Sequence, residues 1–173
     1  MSSPDLSRIP SFYHNYISQV TAPDLSSALA KHQQQLVAEL KEIPGERWDY
    51  RYAEGKWSIK ELVQHIIDGE RVFCYRALRF ARKDATELPG FDENLFNENA
   101  HADRRTKEDL IEELAAVQKA SVLLFRSFDE DQLEASGVAN GNAVYVRGIG
   151  FIIVGHALHH LNILKERYLS RVS

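Results

Sequence analysis

Residues 149–164 read IGFIIVGHALHHLNIL, an apolar run that carries three histidines within five positions. At about 100° per residue, His156 and His160 stand roughly 40° apart on a helix, while His159 lies about 60° from His156 and about 100° from His160. A regular helix therefore aims the i, i+4 pair at one point and leaves His159 on the margin, beside Asn162 and Glu166. Ile149, Ile153, Ala157 and Leu164 continue the His160 side as an apolar stripe, so the stretch predicts a helix over about 146–169 with two imidazoles on its interior face. Taken alone, the pair reads equally as packing residues with satisfied nitrogens or as two ligands of one metal ion.

Three more segments share this periodicity. In residues 24–43, Leu25, Leu29, His32, Leu36, Leu40 and Ile43 step by fours and threes until Pro44-Gly45 ends the pattern. A second helix is predicted over 58–83, opening on S-I-K-E, where Ser58 and Glu61 match a capping box, and running through Leu62, Ile66, Gly69, Phe73, Ala77 and Phe80. The third is predicted over 106–128, with Leu110, Leu114, Val117, Ser121, Leu124 and Phe128 on one face. Four amphipathic helices in 173 residues imply one all-α domain, 1–173, a four-helix bundle.

The connections differ in kind. Residues 44–57, PGERWDYRYAEGKW, are aromatic for a linker, so Trp48 and Trp57 read as plugs over one end of the bundle. Residues 84–105 are long for a structureless loop, which implies a connection that crosses the bundle or carries function. In residues 136–148, Asn140-Gly141 is a hairpin-turn dipeptide followed by apolar alternation and allows a small ribbon.

Composition removes several classes of function. Net charge is −4, from 21 basic and 25 acidic residues with no run of one sign, which argues against nucleic acid as a partner. The single cysteine, Cys74, excludes a disulfide framework and any CxxC site and fits a reducing compartment, with the cytoplasm as the simplest address. The opening MSSPDLSRIP has no apolar core of a signal peptide, and no apolar run approaches the roughly 18 residues of a membrane span, so an unexported protein with no membrane partner is expected. No GxSxG, HExxH, P-loop or GxGxxG pattern supports a rival chemistry.

Two histidines do not complete a catalytic metal site, which usually takes three protein ligands and keeps one position open. His65, on the second predicted helix between Leu62 and Gly69, is the candidate third ligand. It borders the apolar face, with Glu61 and Asp68 on its other side as candidates to orient it or to act as a base, and Gly69 leaves room one turn away. By itself His65 also reads as a satisfied border histidine. Cys74, nine residues on, falls on the opposite side of that helix and reads as core. His14, His32 and His101 have no helical partner histidine and read as surface or packing groups, although His14 lies among aromatics in SFYHNYI and is a candidate for lining a pocket.

With KWSIKELVQHIIDGERVFCYR at 56–76, GHALHHLNILKERYL at 155–169 and LPGFDEN at 88–94, the chain resembles the DinB/YfiT-like family of metal-binding four-helix bundles. The resemblance implies His65, His156 and His160 as ligands of a divalent ion such as zinc or nickel. It also implies an up-down-down-up bundle with 84–105 crossing between parallel neighbours, and a homodimer. Relatives in that family include thiol-dependent S-transferases and isomerases, which use a low-molecular-weight thiol, and metal-dependent hydrolases. Two readings follow for this chain. One is an enzyme whose metal activates water or a thiol for a small-molecule substrate; the other is a non-catalytic metal- or ligand-binding stress-response protein.

Overall fold

Side chains that close the first turn set where the bundle helices begin. In the computed structural model, which describes residues 3–169, Asp24 accepts from the Ser27 N–H at 3.0 Å and starts α1, Leu25–Lys41. Ser58 and Glu61 form the reciprocal capping box that starts α2, Ile59–Ala81, and Thr106 with Asp109 does the same for α3, Lys107–Arg126. Each cap satisfies N–H groups that have no partner within the helix, a contribution of about 1 kcal/mol. The fourth helix, α4, Val146–Ile163, has no side-chain cap; it leaves directly from a hairpin, and its last turn, Leu164–Leu169, widens to π winding.

Contacts at the helix ends give the directions. Lys165 on the last turn pairs with Glu39 near the end of α1 at 2.6 Å, so α1 and α4 run the same way. Lys107, at the start of α3, donates to the carbonyls of Lys41 and Ile43 at 2.7 Å, so α3 runs against α1. Arg105, just before α3, donates to Gln64 in the first turns of α2 at 2.9 Å, so α2 and α3 are parallel. The result is an up-down-down-up bundle, in which α2 packs on α3 and α4, and α1 packs on the same two.

The connection between the parallel pair is folded rather than loose. It carries the short helix Glu93–Ala100, capped by Asp92, and its Leu88 joins a two-stranded hairpin by bonds to the Val138 carbonyl and from the Asn140 N–H, both 2.9 Å. The hairpin pairs β1, Ser136–Ala139, with β2, Asn142–Tyr145. Asn140 and Gly141 form its turn with φ of 52° and 70°, the left-handed pair that a two-residue turn of this twist requires. No helix among the described residues is long and apolar enough to cross a membrane.

Burial of the four stripes produces two apolar clusters. One contains Leu25, Leu29, Phe73, Phe80, Phe125 and Phe151; the other contains Leu36, Leu40, Trp48, Leu62, Ile66, Leu110, Leu114 and Leu161. Every helix inserts a buried polar residue between them: His32 from α1, Glu70 from α2, Gln118 and Ser121 from α3, and His156 from α4. Buried polar groups cost free energy unless partnered, so this middle layer is where chemistry is to be sought.

Candidate metal centre

His65 and His156 meet because α2 and α4 are antiparallel and Gly69 removes the side chain that would hold them apart. A Cβ at Gly69 would lie 3.1 Å from His156 Cε1, so the room beside His65 is taken up by the His156 ring itself. His65 Nε2 lies 2.9 Å from His156 Nε2, and His160 Nε2 lies 3.1 Å from it on the other side. His159 is turned away and packs its ring on Tyr16 at 4.8 Å.

These contacts do not satisfy the nitrogens. His156 Nε2 carries at most one proton, yet it faces two other imidazole nitrogens, and His160 Nδ1 is buried with no partner. Charge on the rings does not resolve the conflict, because burial pushes His65 down to about 4 and His160 to about 3, and holds His156 well below its ordinary value. The result is three neutral lone pairs aimed at a common point, the form in which histidine binds metal. Nitrogens about 2.1 Å from a tetrahedral ion stand roughly 3.4 Å apart, so a small opening of the rings would admit one. The residues fit a divalent transition ion.

Aromatic rings hold the imidazoles in place. Trp57 lies on His65 with ring centroids 4.8 Å apart, and Tyr16 and Phe73 each meet His156 edge-on at 5.8 Å. Tyr16 reaches α4 because Gly155 lets the short helix His14–Ile17 sit directly on it; a Cβ at Gly155 would run into the Tyr16 backbone. Above the histidines lies a cavity of about 180 Å³ lined by Tyr13, Tyr16, His65, Gly69, Phe73, Arg76 and His156, with Phe91, Glu93 and Asn140 across from them.

The structure thus brings His65, His156 and His160 together but holds the two carboxylates elsewhere. Glu61 is bound by Arg51, one bond at 2.9 Å, and by the Ser58 N–H at 2.6 Å, while Asp68 accepts from Gln64 at 3.0 Å and faces a groove shared with Arg71 and Arg105. Neither is hydrogen-bonded to His65; the capping box and the Gln64 pair hold them. Trp48 is the buried plug expected of it, but Trp57 belongs to the site. His14 does not line the cavity, because its Nε2 is held by the Leu6 and Ile9 carbonyls. His32 is buried and accepts from Gln118 Nε2 at 2.8 Å, and His101 is exposed at the end of the crossover helix. Cys74 is partly buried and donates to Ser121 Oγ at 3.1 Å; burial pushes its thiol up to about 12, which favours the protonated, unreactive form at neutral pH.

Comparison with known proteins agrees with the fold. The model of the DinB superfamily matches residues 28–164, from the first turn of α1 through the first residue after α4. The chain belongs to the DinB superfamily. Among solved structures it is similar to YfiT from Bacillus subtilis, described as a probable metal-dependent hydrolase with an unusual four-helix bundle topology. The TM-score is 0.71 at 15% identity, covering 95% of this chain and 91% of that one. It is also similar to a mycothiol-dependent maleylpyruvate isomerase, with a TM-score of 0.67 at 13% identity, covering 86% of this chain and 60% of that one. At such identities the likeness concerns the DinB fold alone. No curated protein matches the chain.

The other residues around the site, Tyr16, Trp57, Arg76, Glu93 and Asn140, are spread along the chain from the short helix His14–Ile17 to the hairpin turn. Gly155 is the sequence trace of the approach of Tyr16, as Gly69 is of that of the His156 ring.

Proposed function

We propose that this DinB-superfamily protein is a metal-dependent hydrolase of a small molecule, with His65, His156 and His160 holding the ion. The observation that carries the reading is that the three Nε2 atoms converge and that two of the three rings, His65 and His156, line a cavity, so three protein bonds would leave a position on the side of a substrate-sized space. A bound divalent ion such as zinc or nickel supplies Lewis acidity there and makes water a competent nucleophile near pH 7. The chain's own residues do the rest. The aromatic rings exclude bulk water, and burial raises Tyr13 and Tyr16 above their usual range, which keeps both hydroxyls protonated and able to donate to an oxygen of the substrate. Glu93, exposed, is the one carboxylate among the residues that line the cavity.

Cobalt-substituted protein titrated with azide and, separately, with a small thiol tests this. A change in visible absorption with azide is expected. A response to thiol alone would replace hydrolysis by thiol-dependent S-transfer, and no response to either in fully loaded protein would leave a closed site and a non-catalytic metal-binding or stress-response role. The remaining parts of the proposal are a homodimer, readable by sedimentation, and a cytoplasmic location, which rests on the single unpaired cysteine.

A further inference from the structure

The cavity has a second end, and it is cationic. His65, Gly69, Phe73 and Arg76 lie along one stripe of α2, and Arg76 stands seven residues, about 10 Å of helix rise, beyond Gly69. Side chains on a helix lean toward its N-terminus, which brings the Arg76 guanidinium back toward the histidines. There it lines the cavity at only 6% exposure. Its partners are neutral: Nη2 donates to the Pro89 carbonyl at 3.0 Å, the Tyr13 hydroxyl lies against it, and its carbon stands 6.0 Å from the Phe73 ring. No carboxylate of the described residues pairs with it.

The other buried arginine shows what is missing. Arg147, 1% exposed, is bound by both Glu130 and Glu134. Buried charges are normally paired, so a buried cation that opens onto a cavity and is hydrogen-bonded only to neutral groups, with the one lining carboxylate, Glu93, exposed and not bonded to it, is a binding site for an anion from outside. We propose that Arg76 binds the carboxylate of a substrate whose reacting group lies at the histidine floor, and that this substrate is a small, flat, unsaturated or aromatic carboxylic acid derivative. The inference rests on the hydrolase reading for the reacting end alone; the carboxylate end depends on Arg76.

Three features narrow the class. A guanidinium fork matches the two oxygens of a carboxylate in one plane. Arg76 is the only cation among the residues that line the cavity and Glu93 stands at its mouth, so the protein offers no surplus of positive charge for a phosphate dianion. Tyr13, Tyr16, Phe73 and Phe91 give walls suited to stacking on a planar body. The crossover completes the site, because Pro89 supplies the carbonyl on Arg76, and a Cβ at the next residue, Gly90, would overlap the Asn140 side chain of the hairpin turn.

Calorimetric titration with benzoate, its neutral analogue benzamide, and inorganic phosphate tests this on metal-loaded and chelator-stripped protein. In both forms benzoate is expected to bind at least about tenfold tighter than benzamide and tighter than phosphate. Arg76→Gln should erase the preference for benzoate over benzamide, and Arg76→Lys should keep part of it. Equal binding of benzoate and benzamide, tighter binding of phosphate, or no binding of benzoate to wild type up to millimolar concentration would overturn the proposal. These comparisons need no variant, so they decide even if Arg76→Gln does not fold. Stripped protein that binds benzoate while the chain retains no metal would keep the subsite and remove the hydrolase.

Discussion

His32 and His156 lie in the same polar layer at nearly the same burial, 4% and 7% exposed, and burial depresses the basicity of both. Their partners differ. His32 Nε2 accepts a hydrogen bond from Gln118, a donor matched to its lone pair, whereas His156 Nε2 faces two further imidazoles that cannot all be satisfied without an ion. Burial and a lowered pKa are therefore common to a packing histidine and a ligand, and convergence of unmatched lone pairs from two helices distinguishes the second. The contrast extends across the bundle: toward α3 the layer closes on itself, Gln118 pairing with His32 of α1 and Ser121 with Cys74 and Glu70 of α2, whereas between α2 and α4 it opens onto a cavity.

The largest effect expected from this contrast is on metal affinity. His65→Ala and His160→Ala should each weaken binding by at least about 100-fold, since each removes one of three bonds, while His32→Gln should leave it within about threefold. Competition with a chromophoric chelator measures all three. If His32→Gln loses metal to the same degree, the layer acts as one site and the distinction fails.

Next in size is the stabilisation that the ion confers. With free metal at about 100 times its dissociation constant, binding adds about 3 kcal/mol to the folded state, because the unfolded chain does not hold the three histidines together. A chelator should therefore lower the melting temperature of wild type by several degrees and leave that of His156→Ala unchanged.

The closed side should respond to pH instead. Burial pushes Glu70 up to about 7, with one carboxylate oxygen unpartnered. Between its ordinary 4.5 and about 7 the folded chain holds a proton that the unfolded chain has released, so this group's contribution to stability falls as pH rises through that window. Relative to wild type, Glu70→Gln should gain at most about 3 kcal/mol at pH 8 and nearly nothing at pH 4.5 in urea melts. A constant difference across pH would show that Glu70 does not titrate in this range. His32, pushed down to about 4, has the opposite sign and weakens the fold as pH drops below 6.5.

The smallest effect separates neighbours. His159 packs on Tyr16 at the edge of the site, so His159→Ala should change metal affinity by no more than a few-fold. A loss equal to that of His160→Ala would mean that the end of α4 rearranges around the ion.

The bundle and its ligand candidates were legible because both depend on local pattern. Ser58 with Glu61 marks the start of α2 through contacts four residues long, and the roughly 40° separation of His156 and His160 follows from one helix. His65 is a candidate third ligand from its place at the border of the second helix's apolar face, and the resemblance to a family implies it as a ligand with the other two, since no periodicity relates residues ninety apart. The cavity walls were illegible for the same reason. Trp57 reads as a plug until α2 places it on His65, Tyr16 enters only because Gly155 admits a neighbouring backbone, and Asn140 arrives on a hairpin held by Leu88 of the crossover. Glu61 and Asp68 have the right spacing for a site role, but spacing does not reveal that Arg51 and Gln64 bind them first.

X-ray absorption at the metal edge, on protein purified without a histidine tag, tests most directly whether the opposed imidazoles are a metal centre. One ion per chain is expected, with three imidazole nitrogens at about 2.0–2.1 Å and at least one exchangeable oxygen, unchanged in His32→Gln and absent in His156→Ala. A chain without stoichiometric metal, a first shell containing sulfur, or a fourth imidazole lost on replacing His32 would contradict it.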